Sequence, residues 1–179
     1  LGSGGHTVNQ NTISTLTLSS PTAGSYSTNG IHCNAASGTN TLTKNKITEL
    51  GSAGTSSSTL VAGIFLEGIG SVFGSNNIVL INNNTSSGNS VILEGIKNNS
   101  TGTVSLYHNT IKIYGTATSN SGSSSCYTNG GLNTINLRNN IFQNLRTNSG
   151  GTGKHYAINF STSPSTVTAK QYNYFESSG

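Results

Sequence analysis

Leu106-Tyr107-His108-Asn109-Thr110-Ile111-Lys112-Ile113-Tyr114 spells a nine-residue unit, apolar-x-x-Asn-x-apolar-x-x-apolar, that recurs along the chain. The other copies are Val8-Asn11-Ile13-Leu16, Leu42-Asn45-Ile47-Leu50, Phe73-Asn76-Ile78-Ile81 and Leu137-Asn140-Phe142-Leu145, with a decayed sixth around Asn173 and Phe175. The asparagines Asn11, Asn45, Asn76, Asn109, Asn140 and Asn173 are spaced by 34, 31, 33, 31 and 33 residues. A period held this closely marks a solenoid, in which each repeat buries its apolar face only against its neighbours. A second ladder keeps step with the first: Gly30-Ile31, Gly63-Ile64, Gly95-Ile96, Cys126-Tyr127 and Ala157-Ile158. Residues 1–179 therefore read as one continuous body.

The residue types choose the kind of repeat. Asn, Gly, Ser and Thr dominate, and good helix formers are scarce. Thr39–Thr43, Ile78-Val79-Leu80-Ile81 and Ile111-Lys112-Ile113-Tyr114 read as short strands. The first two apolar positions of the unit are five apart, so an unbroken strand would point them to opposite faces. Both reach the inside only if the chain bends between them, and Asn sits at the bend, where it tolerates left-handed backbone. Stacked over rungs, the side-chain amides would bond along the axis. The expectation is a right-handed parallel β-helix of about five to six rungs, with ~32 residues per rung and the Asn ladder at a corner. Its core is expected to include Ile31, Leu42, Ile47, Ile64, Phe73, Ile78, Ile96, Ile111, Tyr127, Phe142 and Phe160.

Composition agrees with a thin axial core. Apolar residues make up 31% of the chain, below the roughly 45–50% of globular domains. Disorder is disfavoured because charge is low, Pro numbers two and the ladders are regular. The polar stretches Gly51–Thr59, Asn82–Ser90, Gly115–Ser125 and Arg146–Gly153 all follow the last apolar position of the unit. They should stack along one lateral side, a natural place for binding. No run of about 18 apolar residues exists, so no membrane insertion is expected. The chain begins at Leu1, shows no leader and has no capping element at either end, which points to a segment of a longer protein.

The inventory of reactive groups is short. Aspartate is missing, and the only acids are Glu49, Glu67, Glu94 and Glu176. Glycoside hydrolysis needs paired carboxylates, and calcium-assisted chemistry needs clustered ones. Glu67 and Glu94 lie at +3 and −2 from their ladder isoleucines, so they should not stack, and both read as exposed. His6, His32, His108 and His155 are scattered without zinc spacing, so no metal and no cofactor is expected. Gly-Gly-Thr-Gly-Lys (150–154) lacks the full spacing of a phosphate loop. These readings favour a chain that is not an enzyme. Cys33 and Cys126 sit three repeats apart, about 14 Å at about 4.8 Å per rung, beyond disulfide reach. Cys33 is expected inside and Cys126 outside. The eight Lys and Arg are dispersed, without the clustered patch of a nucleic-acid binder. Thr residues next to the ladder are too irregular for an ice-ordering array.

The run from Leu137 to Ile158, followed by Tyr172-Asn173-Tyr174-Phe175, resembles a recurrent signature of very large secreted β-helix repeat proteins of Bacteroidetes. Leu106–Ile111 and Asn29-Gly30-Ile31 resemble their repeats as well. The resemblance implies a right-handed β-helix, export to the extracellular space or the outer cell surface, and a C-terminal sorting domain of type IX secretion, absent from this sequence. It carries no catalytic residues across.

Three functions follow as expectations. The first is a non-catalytic structural or adhesive segment (stalk, filament subunit or adhesin), whose partner is itself, end to end or laterally, or a surface polysaccharide. The second is a glycan-binding module with Tyr107, Tyr172 and Tyr174 as stacking platforms. The third is part of a polysaccharide-degrading enzyme whose acidic residues lie outside this segment.

Overall fold

The computed structural model describes residues 4–18, 26–52, 59–82, 91–117, 122–150, 152–162 and 166–178. Of the polar stretches singled out above, positions 53–58, 83–90, 118–121 and 151 lie outside these residues. The described chain is all strand and turn. In chain order the strands are β1 (Thr7–Asn9), β2 (Thr12–Ser14), β3 (Thr17–Leu18), β4 (Tyr26–Ala35), β5 (Thr39–Thr43), β6 (Lys46–Thr48) and β7 (Gly51–Ser52). They continue as β8 (Thr59–Gly68), β9 (Ser71–Ser75), β10 (Ile78–Asn82), β11 (Ile92–Asn98), β12 (Val104–Tyr107), β13 (Thr110–Tyr114) and β14 (Thr116–Ala117). The last are β15 (Ser124–Asn129), β16 (Thr134–Arg138), β17 (Ile141–Asn144), β18 (Thr147–Asn148), β19 (His155–Phe160), β20 (Thr166–Gln171) and β21 (Tyr174–Ser177).

These strands form three long parallel sheets, one on each side of a solenoid. The first is ordered β1-β5-β9-β12-β16-β20, the second β2-β6-β10-β13-β17-β21 and the third β19-β15-β11-β8-β4. Two short pairs, β3-β7 and β14-β18, follow the second sheet. Each strand pairs with its counterpart one coil away, as in Val8↔Leu42, Ile47↔Val79 and Ile64↔Ile96. This is a parallel β-helix. Alternation decides what enters the axis: β5 buries Asn40 and Leu42 while Thr39, Thr41 and Thr43 face outward.

The buried column runs through Leu42, Leu106 and Leu137 of the first sheet and Ile47, Val79, Ile111 and Phe142 of the second. Ile31, Ile64, Ile96 and Tyr127 complete it from the third. Phe142 is stacked between Tyr127 at 6.1 Å and Phe175 at 5.8 Å.

Five expectations are corrected. The ladder residue of the third copy is Asn77, not Asn76: Asn76 is exposed with φ 55°, whereas Asn77 is buried and hydrogen-bonded to Asn45 and Asn109. The apolar template fits Phe73 and Ile78 by spacing, yet Phe73 is only half-buried and Ile78 is 40% exposed. Gly74 and Val79 take the inward positions, and Leu106 fills the room at Gly74, where a Cβ would lie 2.8 Å from its Cδ2. The left-handed residue of the corner is the one before each ladder asparagine. Gln10, Lys44, Asn76, His108, Asn139 and Tyr172 all have φ between 50 and 58°. Phe160, at the end of the outermost strand of the third sheet, is 45% exposed. Cys126 is fully buried, like Cys33, because it continues a column of inward Gly30, Gly63 and Gly95.

Candidate functional site

The corner asparagines form an unbroken chain of amides. Asn11, Asn45, Asn77, Asn109 and Asn140 each donate from Nδ2 to Oδ1 of the next, at 2.9–3.0 Å. Each Oδ1 that receives such a bond also accepts the backbone N–H of the preceding ladder residue. The second Nδ2 hydrogen goes back one coil, from Asn45 to Val8 O, Asn77 to Leu42 O, Asn109 to Gly74 O, Asn140 to Leu106 O and Asn173 to Leu137 O. Asn45, Asn77, Asn109 and Asn140 thus spend two donors and two acceptor positions inside the protein, which is the full capacity of the group. Their role is structural.

The three tyrosines do not converge. Tyr107 lies on the outer face of the first sheet, edge-on to Phe73 at 5.4 Å, with the Arg138 guanidinium 5.7 Å from its ring centre. Tyr172 occupies the left-handed corner position and is 88% exposed. Tyr174 faces out from the second sheet and donates its hydroxyl to Glu176, which raises the tyrosine's pKa, while the hydrogen bond from Gln143, then that from Tyr174, lowers the pKa of the carboxyl.

The carboxylates are dispersed and engaged. Glu49 accepts from Thr15, and Glu67 meets His32 at 2.8 Å. Glu94 is buried rather than exposed, and Lys97 reaches it at 3.1 Å. Glu67 and Glu94 do not stack: their register partners are Asn34 for one and Ala62 and Ser125 for the other. No group of three or more His, Cys, Asp or Glu that could hold a metal gathers among the described residues.

Sequence reasoning missed the buried polar interior. Arg146, one of the eight dispersed Lys and Arg, is fully enclosed and donates from Nη1 to Gly122 O at 3.2 Å, with Val91 O at 3.5 Å. Its Nε and Nη2 are buried without a hydrogen-bond partner among the described residues. Burial lowers its pKa to about 10, which still leaves it charged at neutral pH. Close by, His155 Nδ1 lies 2.9 Å from Ser124 Oγ and its Nε2 lies 3.0 Å from Asn148 Oδ1. That order matches a nucleophile, a base and an orienting amide. However, Ser124 is 1% exposed and its hydroxyl already receives the Asn144 amide at 2.9 Å, which leaves no open face for a substrate. Asn98 and Asn129 form a second internal amide pair at 2.6 Å, tied to the buried Tyr127 hydroxyl. An arginine or histidine inside a polar run has no periodic signature. The position of Asn129 two residues past Tyr127 was the one available hint.

No protein-family model, curated protein or solved structure matches this chain.

Proposed function

We propose that the chain is a non-catalytic structural or adhesive segment of a protein displayed outside the cell. The observation that carries this reading is the corner ladder, in which successive coils are joined by amides with no capacity left for chemistry. Among the described residues, several groups that could act as acids, bases or nucleophiles are also engaged with neighbouring coils: Glu49 with Thr15, Glu67 with His32, Ser124 with His155. A chain so organised suits a stiff spacer. At the outermost described coil, Leu137, Ala157, Ile158, Phe160, Val167 and Phe175 line an apolar recess of about 410 Å³. It would accept a further rung, from the same polypeptide or a second copy, so self-association is part of the proposal.

The test is antibody labelling of intact cells, combined with deletion of the segment from its parent protein. Labelling without permeabilisation, with loss of attachment or of a surface layer on deletion, supports the reading. Labelling only after permeabilisation sinks it. Sedimentation velocity over a concentration series reports on the partner: a species that grows with concentration supports self-association, and a constant monomer removes it.

A further inference from the structure

We infer that the outer face of the first sheet binds an anionic polysaccharide, anchored by Phe73, Tyr107 and Arg138. This goes beyond a spacer role and does not depend on it. β12 lies between β9 and β16, so Tyr107 is flanked by Ser75 on one side and Arg138 on the other. Phe73 meets Tyr107 at 76°, and Arg138 reaches over the same ring, so three large side chains hold one another on an otherwise flat face. Such mutual support lowers the ordering cost of binding.

Around this anchor the sheet presents hydroxyls and amides. Thr39 and Ser71 are register partners, as are Thr134 and Thr166, at about 4.8 Å per strand, and the exposed Thr103 directly precedes β12 between them. Thr41, Ser105 and Asn136 occupy the next, with Asn136 Nδ2 donating to Ser105 Oγ. The face is accessible: only Ile69 and Gly70 separate β8 from β9, while the long polar stretches belong to the connections between the second and third sheets.

Charge selects the ligand. The four carboxylates of the chain are engaged on other faces, by Thr15, His32, Lys97 and Gln143. On and beside the first sheet stand Arg138 and the corner residue Lys44, neither paired with a carboxylate among the described residues. Nucleic acid would demand many more cations along its phosphates. A face dense in hydrogen-bonding groups and sparse in charge fits a polymer of hydroxyls carrying carboxylates or sulfates. Arg138 would fork onto the anion, and the aromatic pair would take the C–H face of a sugar ring.

The test is surface plasmon resonance on immobilised polygalacturonate, on dextran sulfate and on a neutral glucan. The chain should bind one or both anionic polymers, more weakly as salt rises, and leave the neutral one unbound. Arg138→Gln and Tyr107→Ala should each weaken binding about tenfold. Lys112→Gln, the same charge loss on the second sheet, should leave it unchanged. All three side chains face outward, and unchanged circular dichroism confirms the fold. Binding to neither anionic polymer, equal binding to the neutral glucan, or an equal loss from Lys112→Gln would overturn the assignment.

Discussion

At the scale of single residues, the corner divides its work between two neighbours. One bends the chain and the next ties coils together. Asn76 and Asn77 separate the roles within a single copy. Replacing Asn77 by Leu removes the partner of the Asn45 N–H, of one Asn45 Nδ2 hydrogen and of the Leu42 carbonyl. At about 1 kcal/mol or more for each orphaned group, Asn77→Leu should cost about 3 kcal/mol in guanidinium unfolding. Asn76→Gly should stay within roughly 0.5 kcal/mol, because glycine accepts the left-handed backbone freely. Equal losses at the two positions would refute the division of labour. His155 supplies a pH signature. Burial, with Arg146 second, holds its pKa below the ordinary value of about 6.5, so the unfolded chain takes up the proton more readily. The stability this neutral histidine contributes is complete above about pH 6.5 and is lost as pH falls through that value. Denaturation midpoints over a pH series should decline there, and less steeply in His155→Gln. A profile that rises toward acid would contradict the buried neutral imidazole.

At the scale of strands, register follows from which residues can face a crowded axis. The third sheet approaches the second so closely at Gly95 that a Cβ there would lie 2.1 Å from Ile111 Cγ2 and 2.6 Å from Cys126 O. Neither a β-branched methyl nor a backbone carbonyl can swing away. Gly95→Ala should therefore lower stability by about 2 kcal/mol. Gly51→Ala, whose Cβ meets nothing nearer than 3.9 Å, should cost little, and thermal unfolding of the pair settles the comparison. The same crowding shows how much could be read beforehand. The parallel coil, five of the six ladder asparagines and the register of Ile31, Ile64, Ile96, Tyr127 and Ile158 were legible, because each recurs at one period. In the third copy the spacing template falls one residue out of step with the structure. Ser75-Asn76-Asn77 offers two amides, and the outward Phe73 and Ile78 imitate the inward pattern that Gly74 and Val79 provide. Cys126 departs from the expected outward position because its neighbour Tyr127 also points inward, which simple alternation forbids. Its place below three glycines in the ladder was the signal for a tight interior position. For the surface inferred above to bind polysaccharide, Tyr107 is an expectation from its residue type, whereas its companions Phe73 and Arg138 emerge only when strands 31 or 32 residues apart are set side by side.

At the scale of the whole molecule, each coil is stabilised by the two beside it, so protection should depend on position along the axis. Val8 and Ile13 in the first coil are only partly buried, and Phe175 in the last is 49% exposed. Amide exchange should be slowest in the strands from β8 to β17 and fastest in β1, β2, β20 and β21. Uniform protection from one end to the other would point instead to a single all-or-none unit. The corner ladder has a bearing at this scale too. Every link runs the same way, nitrogen of one amide to oxygen of the next, from Asn11 through to Asn173. Aligned amide dipoles add. The solenoid axis therefore has an electrical sign, oxygen-negative toward Asn11 and hydrogen-positive toward Asn173, and an ion approaching the two ends of this corner meets opposite fields.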